Sequence, residues 1–177
     1  LATGDEVIDP TRADNHEHSL ALGQIWGTNT IALQLAFRDL GCPTVDCGIA
    51  RDNMDSTILA FQNAIVEQQC DIIVSTGGVS VGDFDVVHTA LAQIPDCTVE
   101  MNFWKVRMKP GKPVAAGLIQ HNGKNIPLFA LPGNPVSALM GFYQFVRPFL
   151  LKAMGHPQPN LPTLQLPLGQ DIHKRGT

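Results

Sequence analysis

At 177 residues, with 44% hydrophobic and 16% charged residues, the chain has the size and composition of one globular domain with an appendage. Its net charge of −4 and the lack of a long basic run argue against a nucleic-acid partner. No apolar stretch is long enough to cross a bilayer. Four cysteines, Cys42, Cys47, Cys70 and Cys97, form no C-x-x-C pair. With no secretory leader in the sequence, they read as structural thiols of a reduced, cytoplasmic protein. The chain opens on Leu1-Ala2-Thr3-Gly4 as if a strand were already under way and stops at Thr177 without closing an element. It is therefore expected to be a piece of a longer polypeptide.

Leu1 to Glu6 reads as a strand end running into a turn, and residues 10–23 as a polar loop. His16-Glu17-His18 in that loop has no third ligand nearby and is read as solvated rather than metal-binding. Thr28 or Asn29 is placed to cap a helix that carries Ile31, Leu35, Ala36 and Leu40 to a core and ends at Gly41. Thr44 to Ile49 reads as a short strand, Arg51-Asp52-Asn53 as a polar loop. Ile58, Phe61 and Ile65, widened by Leu59 and Val66, give the next helix its apolar face.

The sequence then runs Ile72-Ile73-Val74-Ser75-Thr76-Gly77-Gly78-Val79-Ser80-Val81-Gly82-Asp83-Phe84-Asp85. An apolar run, Ile72 to Val74, reads as a buried parallel strand, and Val86, Val87, Ala90, Leu91 and Ile94 recur at helical spacing after the loop. Without a Cβ, Gly77, Gly78 and Gly82 let backbone N–H groups approach an anion, and Thr76 and Ser80 add hydroxyls. Asp83 and Asp85, where the helix starts, can cap free N–H groups or hold a cation. A tight turn before an ordinary capped helix would read the same way. The loop is neither a Walker A motif nor G-x-G-x-x-G. Strand and helix alternate to about residue 94, which predicts a mostly parallel sheet covered by helices on both faces, an α/β three-layer sandwich. Ligands of such sheets bind at the carboxyl ends of the strands, where segments 3–6, 51–53 and 77–85 are expected to converge.

Val99 to Met108 reads as a strand of mixed character. Alternation puts Phe103, Lys105, Arg107 and Lys109 on one face and Trp104, Val106 and Met108 on the other; a half-exposed strand with solvated cations is the competing reading. Residues 114–119 and 126–131 form a hairpin around Asn122-Gly123. Pro132-Gly133-Asn134-Pro135 leads into a helix, with Asn134 as N-cap, Pro135 at its first position, and Val136, Leu139, Tyr143 and Val146 at helical spacing. Gly133, the free N–H groups and the Ser137 hydroxyl make a second possible anion seat. Pro148 should kink or restart the helix. The boundaries read as one domain over 1–155 and, over 156–177, a proline-rich linker entering a C-terminal β domain.

Together, Thr3-Gly4-Asp5-Glu6, Gly23-Gln24-Ile25, the Gly-Gly-Val-Ser-Val-Gly-x-x-Asp run at 77–85, Phe-Trp-Lys-x-x-x-Lys-Pro-Gly-Lys-Pro at 103–113 and Leu-Pro-Gly-Asn-Pro-Val-Ser at 131–137 resemble the MoeA/gephyrin E-domain family of molybdopterin molybdenumtransferases. The resemblance runs in order over residues 1–155. It implies the molybdopterin-binding domain of a larger enzyme that takes adenylated molybdopterin and molybdate and yields molybdenum cofactor and AMP. It implies catalytic roles for Glu6, Asp52, Asp85, Lys105 and Lys109, with Asp52 and Asp85 holding Mg²⁺. It also implies ligand contacts at Thr76, Gly77, Gly78, Ser80, Gly82, Pro132, Gly133, Asn134, Pro135 and Ser137. Family members are homodimers whose cleft is completed by another domain of the partner chain, so this fragment is expected to bind without turning over. A molybdopterin adenylyltransferase would precede it in the pathway. That adenylyltransferase, on the same fold, is one alternative reading, although its Thr-Gly-Gly-Thr-Gly loop is missing here; a non-catalytic scaffold is another. Where the family has Arg-Asp-Ser-Asn after Gly-Gln-Ile, this chain has Trp26-Gly27-Thr28-Asn29, which removes a cation.

Overall fold

The computed structural model describes residues 1–11, 19–78 and 83–171, with the backbone alone at 83–86 and 104. His16-Glu17-His18, Ser80 and Gly82 lie outside the described residues, as does the side chain of Asp85. The elements run β1 (Ala2–Thr3), β2 (Val7–Ile8), β3 (Ile25–Trp26), α1 (Thr28–Asp39), β4 (Ile49–Ala50), α2 (Met54–Gln62), β5 (Ile73–Thr76), α3 (Asp83–Leu91), β6 (Cys97–Trp104), β7 (Ala115–His121), β8 (Lys124–Leu131), α4 (Pro135–Gly141) and α5 (Arg147–Ala153). Wide π-helical turns continue α2 over Asn63–Glu67 and join α4 to α5 over Phe142–Val146. Arg147 opens α5 directly after the second of these with Pro148 in its first turn, so the sequence's break falls where the helix changes from π to α geometry. Residues 156–171 add no helix or strand.

Six strands form one sheet in the order β4-β1-β5-β8-β7-β6. The first four are parallel; β7 and β6 complete the sheet antiparallel. Alternation along β8 sends Ile126 and Leu128 into one layer and Phe129 and Leu131 into the other. Leu33 and Phe37 of α1, Ala138 of α4 and Leu150 of α5 cover the second face, and Phe61 of α2 with Val87 and Leu91 of α3 cover the first. Helices on both faces follow from the connections. The chain leaves β1 towards β4 and returns past β1 to β5, and right-handed crossovers in opposite directions put α1 and α2 on opposite sides. The crevice between β1 and β5 is thus the topological switch point. Asn122 and Gly123 both take positive φ, 48° and 77°, in the two-residue turn of the β7–β8 hairpin.

Several expectations are corrected. The strand from 99 to 108 instead begins at Cys97 and ends at Trp104, with a register slip between Met101 and Phe103. Gly117, opposite, has no Cβ to hold Met101 off, since one would lie 2.7 Å from Glu100 O. Lys105 then turns to φ 67°, and Lys105 N and Val106 N donate to Val114 O and Lys112 O. Lys105, Arg107 and Lys109 therefore lie on a turning loop and share no strand face. Of the segment 44–49 only Ile49 enters β4, because Asp46 Oδ1 accepts from Gly48 N at 2.8 Å and holds 46–48 in a turn.

The helix stripes also shift. On α1 the buried residues are Leu33, Ala36 and Phe37, while Ile31 and Leu35 stay exposed; Phe37 meets Phe142 edge-on at 5.2 Å and fixes the rotation. On α2, Leu59 and Val66 are exposed, and Thr57 and Ala64 widen the buried face. After Asn134, Ala138, Phe142, Val146 and Leu150 form the stripe, leaving Val136 and Tyr143 exposed. The π-helical turn alters the period that spacing alone assumes. The N-cap of α1 is Gly27, with no side-chain cap from Thr28 or Asn29. Finally, β2 and β3 form a small parallel ribbon, Val7 opposite Ile25 and Ile8 opposite Trp26, too short to leave a periodic signature.

Candidate functional site

Three loops meet at the switch point. The first leaves β1. Gly4 takes φ 134°, and the Glu6 carboxylate folds back over it, 2.6 Å from where a Cβ would stand. The second follows β4, where Asp5 and Asp52 hold each other: Asp5 N donates to Asp52 Oδ2 and Asp52 N to Asp5 Oδ1, each at 3.1 Å. Arg51 Nη1 donates to Asp5 O at 3.0 Å, and Arg51 N to Ser56 Oγ at 2.8 Å. Asn53 then caps α2 by accepting from Ser56 N at 2.8 Å.

The third loop follows β5. Gly77 and Gly78 take φ 82° and 59°, a region costly for any residue with a Cβ. A Cβ on Gly77 would stand 2.5 Å from Thr3 O and 2.7 Å from Thr3 Oγ1, and one on Gly78 2.8 Å from Thr3 Oγ1. Thr3 Oγ1 donates to Thr76 O at 3.3 Å, and Gly77 N to Leu131 O at 3.1 Å. These bonds stitch the carboxyl ends of β1, β5 and β8 together.

The loops enclose a cavity of about 550 Å³ whose wall includes Glu6, Arg51, Asp52, Asn53, Gly77 and Gly78. It offers two carboxylates, a guanidinium and a glycine backbone that a ligand can approach closely. A second cavity of about 520 Å³, bordered by Phe37, Cys42, Val45, Cys70 and Met154, includes none of Glu6, Asp52, Gly77 and Gly78.

The segments 3–6, 51–53 and 77–78 thus converge as expected from the sequence. Lys105 and Lys109 do not line the cavity. Their loop runs beside α4, where a Cβ on Gly111 would stand 3.6 Å from Ser137 O. At the start of α4, Asn134 Oδ1 accepts from Ser137 N at 3.2 Å, Pro135 takes the first turn, and Ser137 is buried. Gly133 joins this loop to the glycine loop, its Cβ position 3.7 Å from Gly77 Cα.

Sequence reasoning left Arg51, Thr3 and Asn29 without a site role, and Arg51 stands in the cavity wall. Thr3 lies under both glycines, and the pairing of an invading hydroxyl with Gly-Gly across two strands has no local signature. Asn29, read as a cap, instead donates Nδ2–H to Gly133 O at 2.8 Å, across 104 residues. Burial pushes the thiols of Cys47 and Cys97 up from their ordinary range, and neither residue borders the first cavity.

A doubly covered, mostly parallel sheet with glycine loops at its switch point defines the class, an α/β domain with a ligand-sized cavity at the carboxyl ends of its strands. Residues 1–152 match the family described as "Probable molybdopterin binding domain", and the chain belongs to that family. It is 38% identical over 158 residues to the molybdopterin molybdenumtransferase of Haemophilus influenzae, covering 89% of this chain and 35% of that protein. It is 37% identical over 166 residues to molybdopterin molybdenumtransferase 2 of Mycobacterium tuberculosis, covering 92% and 38%. The crystal structure of a molybdopterin biosynthesis moeA protein from Pyrococcus horikosii superposes with a TM-score of 0.69 at 31% identity, over 89% of this chain and 35% of that one. The chain therefore spans about a third of the length of these relatives.

Proposed function

We propose that this domain binds molybdopterin in its adenylated form and, within a longer protein, serves the insertion of molybdate with release of AMP. The observation that carries this reading is the cavity at the β1–β5 switch point, where Gly77 and Gly78 bring bare backbone beside Glu6, Arg51 and Asp52. The names of the relatives agree with it.

The residues divide the work by chemistry. Gly77 and Gly78 present backbone groups to the phosphate part of the ligand, joined by Ser80 and Gly82 of the same loop, while Thr76, expected among the ligand contacts, is buried and borders the second cavity instead. Pro132, Gly133, Asn134 and Pro135, with Ser137 behind them, bound the pterin side. Arg51, tied to Asp5 O, supplies a fixed positive charge at the wall. Lys105 and Lys109 serve the anionic molybdate from the loop beside α4.

Two carboxylates facing an anionic ligand repel it unless a cation intervenes. Among the described residues no three His, Cys, Asp or Glu side chains come together as a metal cage. One or two carboxylates plus ligand phosphates are nonetheless what Mg²⁺ accepts, so the donor set fits an ion shared with the substrate. Asp52, aligned by Asp5 N, would hold it with Asp85, and the ion would polarise the phosphoanhydride as a Lewis acid. Glu6 remains as a positioned carboxylate for protons and water.

A homodimer whose partner chain closes the cleft, fed by a molybdopterin adenylyltransferase, completes the proposal. Titration calorimetry of the chain with molybdopterin tests the binding part: saturable heat in the wild type, lost in Gly77→Ala, is expected. A cofactor-reconstitution assay with the fragment should give almost none of a full-length protein's activity. Absence of binding to the wild type would sink the assignment of the site.

A further inference from the structure

We propose that Asn29 is a positioning residue for the ligand seat, a latch that sets the 132–135 loop against the glycine loop. The inference rests on the reading that these two loops bound the molybdopterin site. Asn29 is the second residue of α1, yet it contributes nothing to the helix end: Gly27 is the N-cap and no side chain caps it. Its carboxamide is spent on another element. Nδ2–H donates to Gly133 O at 2.8 Å, joining the start of α1 to the loop that leaves β8. The other side of Gly133 is fixed too. Its Cβ position is 3.7 Å from Gly77 Cα, and Gly77 N donates to Leu131 O, two residues before Gly133. The loop is therefore gripped between Gly77 below and Asn29 beside it, and the 2.8 Å bond sets Gly133 against Gly77, which itself lines the cavity.

The other half of the carboxamide supports a role beyond stability. Asn29 Oδ1 is buried and accepts no hydrogen bond from the described residues. An unsatisfied buried acceptor offsets much of what the donor half gains, so the side chain is a poor device for holding α1 to the sheet. The apolar contacts of Leu33, Phe37, Ala138 and Phe142 already do that. What the Asn29–Gly133 bond adds is a defined loop geometry, and small misplacement of ligand-contacting groups is costly.

The test uses two substitutions, with molybdopterin as the probe. Asn29→Ala removes the donor and should weaken binding by about tenfold, the size of one hydrogen bond's contribution, with an unfolding temperature close to wild type. Asn29→Asp is isosteric but sets an acceptor against Gly133 O. Its binding should be weaker still at pH 8 and recover towards wild type, measured at each pH, as acid protonates the carboxyl and restores an O–H donor. Protection of the Gly133 and Asn134 amides in the free protein, taken relative to wild type at the same pH, should be lost in Asn29→Asp at pH 8 and regained at low pH. That acid rescue is what a merely structural residue would not show. Wild-type affinity in Asn29→Asp at pH 8, or a loss that does not change with pH, would overturn the latch. Failure of the wild type itself to bind molybdopterin would instead overturn the site on which the latch depends.

Discussion

Gly77→Ala is the sharpest test of how the switch point is built. The new methyl would stand 2.5 Å from Thr3 O and 2.7 Å from Thr3 Oγ1, contacts that no relaxed side chain makes, and the first is to backbone. The residue would also keep φ near 82°. Left-handed backbone costs an alanine roughly 1–2 kcal/mol. Forcing a methyl into a filled space adds about 1–3 kcal/mol. The sum, about 2–5 kcal/mol, is a large share of the 5–15 kcal/mol that holds a typical domain. Gly133→Ala is the matched control. Its methyl would meet Gly77 Cα at 3.7 Å, an ordinary contact, at a residue without positive φ. It should cost under about 1 kcal/mol, within the range of unremarkable substitutions. Urea unfolding of the two variants measures both free energies, and near-ultraviolet circular dichroism reports whether Gly77→Ala stays packed. Equal stability of the two variants would refute the claim that β1 and β5 approach each other only through a bare α-carbon.

Three further outcomes are expected. Asp52→Asn retains an oxygen to accept from Asp5 N, so the unfolding midpoint should move little, while the Mg²⁺ dependence of molybdopterin binding in calorimetry should disappear. Phe142→Ala, at a fully buried side chain packed on Phe37, should lose about 3–5 kcal/mol in urea unfolding, whereas Tyr143→Ala, one residue on and 41% exposed, should lose about 1 kcal/mol or less. Burial raises the Cys97 thiol, so the folded state keeps its proton when the unfolded state has released one; stability should be unaffected below the ordinary thiol range and fall as pH rises through it, with a shallower fall in Cys97→Val.

Much of the architecture was legible because it rests on signals of adequate length. The alternation of apolar runs with helical stripes specified a covered parallel sheet, and Asn122-Gly123 specified the hairpin because both positions need positive φ. What misled was periodicity where the backbone departs from regular geometry. Strict alternation from 99 to 108 assumed an unbroken strand, but a slip at Met101 and a left-handed Lys105 end it at Trp104, and the supposed cationic face dissolves. The stripe after Asn134 was assigned to 136, 139, 143 and 146 on a 3.6-residue repeat. Val146 is buried as assigned and Leu139 packs partly on the core, but Val136 and Tyr143 stay exposed, and with the wide π-helical turn at Phe142–Val146 the stripe runs through Ala138, Phe142, Val146 and Leu150. On α1, two stripes fit the period equally well, and the contact of Phe37 with Phe142, a partner 105 positions away, decides between them.

The site was legible for a different reason. Gly4, Gly77 and Gly78 each sit at a positive φ forced by the sharp exit of a strand, and such exits at a switch point are where loops from separate strands must meet. The sequence could therefore name the loops without knowing the contacts between them. It could not name Thr3 or Asn29, because each acts on a partner far along the chain: Thr3 packs under Gly77 and Gly78, and Asn29 reaches Gly133. A carboxamide at the second position of a helix looks locally like a cap, and only tertiary structure shows its donor spent on a loop. The end of α1 has no side-chain cap for a separate reason, since its N-cap is Gly27. A glycine at that position costs only a few tenths of a kcal/mol against a capping side chain. What distinguishes Asn29 is therefore not a lost cap but the use of its donor across 104 residues to hold the loop after β8, the kind of long-range polar contact expected where a domain must place a ligand rather than merely fold.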